Sequence, residues 1–174
     1  MVSMLVLSNG LITKEVLSLR TATPVASVED IIINPNNLKI EGFYCKDYYL
    51  NHTVILLIQD IREIIDKGYV VNDREVLCEP EDLVRLKDII ALRFKLINKK
   101  VETISKTKVG KVEDYVVDLE SMYIQKLHVN RPIYKNIADH SLIVDRSQIN
   151  EITPSKIIIN ELLKTEFAEV GVLV

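Results

Sequence analysis

Cysteine is nearly missing from this chain. The two present, Cys45 and Cys78, sit far apart and in unlike contexts, which argues against a disulfide framework and for a reduced, cytoplasmic protein. Glycine is scarce as well, five residues in 174. Neither G-x-x-x-x-G-K-[ST] nor G-x-G-x-x-G occurs, which argues against a nucleotide phosphate loop; G-x-S-x-G is also missing, and with it the nucleophile elbow. The three histidines, His52, His128 and His140, lack metal-ligand spacing, so no metal is expected. No apolar run approaches the roughly 18–20 residues of a membrane span. The opening MVSMLVLSNGL has no basic n-region or cleavage-like site and reads as a strand. With a net charge of −3 there is no global basic footprint for nucleic acid.

What the chain has is isoleucine, valine and a repeat. The hydrophobic share is 48% and is tilted to Ile and Val, which are stiff at χ1 and suit pleated strands. Residues 25–45 and 109–129 carry one pattern 84 positions apart. Val25, Val28, Glu29, Asp30 and Ile40 recur as Val109, Val112, Glu113, Asp114 and Ile124. Apolar character also repeats at Ile33/Val117, Leu38/Met122, Phe43/Leu127 and Cys45/Val129. Upstream, Val16 and Ser18 match Val101 and Thr103 as a short alternating strand. Downstream, residues 60–64 match 148–152, and 69–72 match 157–160, at an offset of 88. The changed offset places insertions in loops, where they are tolerated.

Each half therefore contains five or six short strands, among them a ribbon turning at residues 34–37 or 118–121, where Asn, Pro, Asp and Ser make reversal cheap. The expected architecture is mainly β: two small antiparallel barrels in tandem, residues 1–78 and 95–160, since closure disposes of exposed sheet edges. Residues 79–94 read as a linker helix with Pro80 at its first position and Leu83, Leu86, Ile90 and Phe94 on one face. Residues 161–174 form a tail.

Lys108-Val109-Gly110-Lys111-Val112-Glu113-Asp114, the strand Met122–Val129 and the segment Leu142–Ile152 together resemble the PRC-barrel family. That barrel occurs in the photosynthetic reaction centre H subunit and in a ribosome maturation factor. The first half departs from the pattern, with Ala26 and Ser27 in place of Gly110 and Lys111. The resemblance implies two PRC-like barrels that dock onto partners, with no chemistry shared across the family.

Gly110 reads as a turn residue entering a strand. Glu29/Asp30 and Glu113/Asp114 are adjacent strand residues, which point to opposite faces and do not form a general acid/base pair. Cys45 matches Val129 and reads as a small core hydrophobe. One local excess of charge stands out. Arg93, Lys95, Lys99, Lys100, Lys106, Lys108 and Lys111 face a single acid, Glu102. These lysines either guard an edge strand against aggregation or meet an anionic partner. No aromatic interleaving for base stacking accompanies them. The expectation is a non-catalytic, cofactor-free, cytoplasmic adaptor that binds a protein partner. The alternative is a ribosome-associated factor whose basic 93–111 patch contacts a ribosomal protein or RNA.

Overall fold

The computed structural model describes residues 4–131 and 141–162. It divides into two compact units, one of residues 1–94 with 118–123, the other of 95–117 with 124–174.

The first unit begins with β1 (Leu5–Leu7), β2 (Glu15–Ser18), β3 (Thr23–Asn34) and β4 (Lys39–Asp47). It continues with β5 (Thr53–Leu57), β6 (Ile61–Ile65) and β7 (Gly68–Val71). Six of these pair in the order β5-β4-β3-β2-β7-β6. The β3–β4 ribbon turns at Leu38, a non-glycine in the left-handed region (φ 55°), whose N–H donates to the Asn34 carbonyl at 2.9 Å. Alternation along the strands directs Val16, Val28, Ile40, Phe43, Ile55 and Val71 inward, all buried. The Phe43 and Tyr69 rings lie 4.6 Å apart, and the Tyr69 hydroxyl donates to the Leu11 carbonyl at 2.9 Å.

The segment expected to be one helix is instead two single 3-10 turns, Pro80–Asp82 and Val84–Leu86, followed by α1 (Lys87–Leu92). Leu83 stands between the turns at φ −90°, ψ 70°, outside the helical region, and no side chain caps α1. Burial explains why the segment stays in place without regular helix. Leu83, Ile89 and Ile90 pack against Ile32, Tyr44 and Ile55 of the first unit's sheet.

The second unit holds β8 (Lys100–Thr103), β9 (Lys108–Asp118), β10 (Tyr123–Asn130), β11 (Ser141–Asp145), β12 (Ile149–Ile152) and β13 (Lys156–Ile159). Their order, β11-β10-β9-β8-β13-β12, repeats that of the first unit strand for strand. The agreement extends to irregularities. Bulges recur in β2/β3 and β8/β9, and again in β6/β7 and β12/β13. Positive φ recurs at Thr13/Asn98, Ala22/Lys106 and Leu38/Met122. The Lys14 ammonium donates to the Asp66 carbonyl at 2.7 Å, and Lys99 donates to Pro154 at 2.6 Å. Val28 and Val112 are buried alike, at 2% and 0% exposure.

Two corrections to the expected barrels follow. The sheets are not purely antiparallel, because β2 runs parallel to β7 and β8 parallel to β13. Nor is either sheet closed. In each unit the two edge strands are joined by a three-residue 3-10 turn, Ile58–Asp60 or Arg146–Gln148. Six flat strands at about 4.8 Å spacing would hold those edges about 24 Å apart. Three residues reach only about 10 Å, so each sheet curls strongly, yet no ladder joins its edges among the described residues. The tail expected at residues 161–174 lies outside the described residues beyond Leu162, as does His140.

Candidate binding cleft

The outward face of β8, β9 and β13 carries an unusual row. Lys156 pairs with Lys100 in the parallel β13–β8 ladder, and Lys100 pairs with Lys111 across β8–β9. Three ammonium groups thus emerge from directly opposed positions on three neighbouring strands, where like charges destabilise the sheet. One of them is neutralised. Lys156 donates to Glu102 at 2.8 Å, and this bond, aided by Lys108 and Lys100, holds the Glu102 carboxyl below its ordinary range.

Beside the row opens a cleft of about 680 Å³. Lys100, Lys108, Lys111 and Arg131 line it, with Glu102 and Glu113 as its acids and Asn98 and Asn130 as its amides. Its floor includes Val101 and Val112, both buried. Gly110 sits in the floor within β9, not in a turn as expected. A Cβ there would lie 2.0 Å from the Asn130 carbonyl oxygen. Glycine is needed because another backbone approaches so closely. Among the described residues the lining offers ammonium, guanidinium, amide and carboxylate groups and holds no histidine, thiol or hydroxyl. Its three ammonium groups and one guanidinium suit an anionic ligand.

The seven basic residues singled out in the sequence are distributed unevenly. Lys100, Lys108 and Lys111 converge on the cleft. Lys99 is tied to the Pro154 carbonyl, Lys95 precedes the buried Leu96, and Lys106 occupies the left-handed turn between β8 and β9. Arg93 belongs to the first unit, where it ends α1 with φ 43° and lies 5.6 Å from the Tyr44 ring centroid. Sequence reasoning missed Arg131, Asn98, Asn130 and Lys156. The signal was present in the repeat, since Arg131 stands 84 positions after Asp47 and reverses its charge.

The equivalent place in the first unit is filled differently. Its row is Gly68, Glu15 and Ser27. Asp47, 1% exposed, accepts two hydrogen bonds from the Arg74 guanidinium, one from Nε at 2.9 Å, and takes the Leu50 N–H at 3.0 Å. Arg74, ahead of the backbone donors, holds the Asp47 carboxyl down to about 2. Elsewhere in this unit, His52 Nε2 lies 2.6 Å from Glu79, whose carboxylate raises the histidine's affinity for a proton. Burial pushes the Cys45 thiol up to about 12, as suits a core residue.

The repeated acids act locally. Asp30 accepts from the Ile31 N–H at 2.9 Å and Asp114 from Tyr115 at 2.7 Å. No group of three or more His, Cys, Asp or Glu side chains able to hold a metal ion occurs among the described residues. No helix among them is long and apolar enough to cross a membrane.

No protein-family model matches this chain, and no curated protein is significantly similar to it.

Proposed function

We propose that this chain is a non-catalytic, cytoplasmic adaptor built from two PRC-like units, which binds partner proteins through its sheet faces. One observation carries this reading. The same six-stranded unit occurs twice, with its bulges and left-handed turns retained, while equivalent positions differ in charge: Glu15, Ser27 and Asp47 against Lys100, Lys111 and Arg131. A retained scaffold with divergent surfaces is what a binding protein needs and a catalytic centre does not. Gentle purification of the tagged full-length chain, with identification of what co-purifies, tests it. A stoichiometric protein partner is expected; a chain that brings down no protein and turns over a metabolite would refute it.

A second reading, a ribosome-associated factor, is favoured by the convergence of Lys100, Lys108 and Lys111. Sedimentation with small-subunit particles should then occur at low salt and fade as salt rises. Its absence at low salt would remove this reading.

A further inference from the structure

The lysine row is a cost to the sheet that packing alone does not explain. Lys100 faces Lys111 on one side and Lys156 on the other, and directly opposed like charges destabilise a ladder. Neither Lys100 nor Lys111 forms an ion pair among the described residues. The first unit shows that the fold does not require the row, because the same three positions there are Gly68, Glu15 and Ser27.

The row is also placed beside a concavity, not on a convex edge where lysines merely discourage aggregation. About 680 Å³ is within the range of sites that enclose a small molecule or a few residues of peptide. Its chemistry narrows the ligand. Single-stranded nucleic acid is gripped by stacking on aromatic rings, and no aromatic lines the cleft among the described residues. Glu102 and Glu113 would also repel a continuous phosphate backbone. A peptide is different, since its charges are discrete and its backbone has both donors and acceptors. Carboxylates can meet Lys100, Lys111 and Arg131, while peptide N–H and C=O groups pair with Glu113 and with the amides of Asn98 and Asn130.

We propose that this cleft docks an acidic peptide segment of a partner protein, with the segment's carboxylates held by Lys100, Lys111 and Arg131. The inference rests on the adaptor reading and names the chemistry of the partner.

The test is fluorescence anisotropy of the full-length chain with three labelled probes: a glutamate-rich decapeptide, a glutamine decapeptide of equal length, and a ten-nucleotide uridine RNA. The acidic peptide should bind at least tenfold tighter than either other probe, and several-fold more weakly when salt rises from 50 to 300 mM, as expected for partly screened charges. The double variant Lys100→Gln/Lys111→Gln should lose at least tenfold in peptide affinity. Lys46→Gln/Lys67→Gln, which removes the same charge from exposed positions of the first unit, should stay within twofold. Circular dichroism establishes that both variants are folded. Tighter binding of RNA, an unchanged affinity in the cleft variant, or an equal loss in both variants would overturn the proposal. If a co-purifying partner is retained by the cleft variant, the cleft inference falls and the adaptor reading stands. If no protein partner is found with either chain, both fall.

Discussion

Replacing Asp47 by Asn tests the electrostatics of the first unit most directly, because the side chain keeps its shape while it loses its charge and one of its two acceptor oxygens. Asp47 is 1% exposed and accepts the forked pair of bonds from Arg74. Its pKa is lowered from 3.8 to about 2, which corresponds to about 2 kcal/mol of stabilisation at pH 7 at about 1.4 kcal/mol per unit. Arg74 is itself part-exposed, at 36%, so solvent screening sets the lower bound near 1 kcal/mol. A depressed carboxyl stabilises the fold above its unfolded pKa, and this contribution is lost as pH falls through the folded value. The Asp47→Asn penalty should therefore be constant from pH 7 to about 5, fall to about half near pH 3, and nearly vanish near pH 2. Urea unfolding of both proteins across that range measures it. Asp73, lowered in the same direction by Arg20, titrates in both chains, so the difference between them isolates Asp47. A penalty below about 0.5 kcal/mol at pH 7, or one independent of pH, would refute the reasoning.

Val28→Ala and Val112→Ala should each cost about 1–3 kcal/mol in urea unfolding, because both remove buried methyls and leave a small cavity. A large cost at one site with none at the other would contradict their equivalence. Gly110→Ala should destabilise the second unit by more than about 2 kcal/mol, since its Cβ would meet the Asn130 carbonyl; thermal unfolding reads this out, and a neutral result would mean that the strands part easily there. Cys45, fully buried with its thiol pushed up to about 12, should resist iodoacetamide at pH 8 until urea unfolds the chain; prompt alkylation under native conditions would show that its surroundings open.

Much of the fold was legible because a repeat samples the same physics twice. A single apolar alternation is ambiguous, whereas Val28/Val112, Ile40/Ile124 and Phe43/Leu127 agree in register, and all six are buried. The turn residues were equally readable, since Asn34 and Asp118 both precede a left-handed reversal. The helix at 79–94 was misjudged for a definite reason. Its apolar spacing fits a helical face, but the demand being met is contact with Ile32, Tyr44 and Ile55, which two 3-10 turns and a six-residue helix satisfy as well. The parallel ladders were invisible because strand direction depends on the connection, not on side-chain pattern. The cleft was half visible. Lys100, Lys108 and Lys111 cluster in sequence, but Arg131 and Lys156 join them only through pairing of distant strands.

The repeat also separates what the fold requires from what it permits. Features shared by the two units are those a curled six-stranded sheet cannot easily do without: paired bulges that increase local twist, left-handed turns, and a lysine bonded to the carbonyl before the last hairpin strand. Other positions are under no such demand, and there the copies part company. In the first unit a buried carboxylate is satisfied internally by Arg74. In the second the corresponding residue is Arg131, which lines a cleft together with two lysines that form no ion pair among the described residues. A charge satisfied from within contributes to stability; like charges directly opposed across neighbouring strands, as at Lys100 and Lys111, detract from it. If the proposed binding role holds, the second unit is where an anionic partner would dock, and the first places where the chain's surface chemistry should be probed are Lys100 and Lys111.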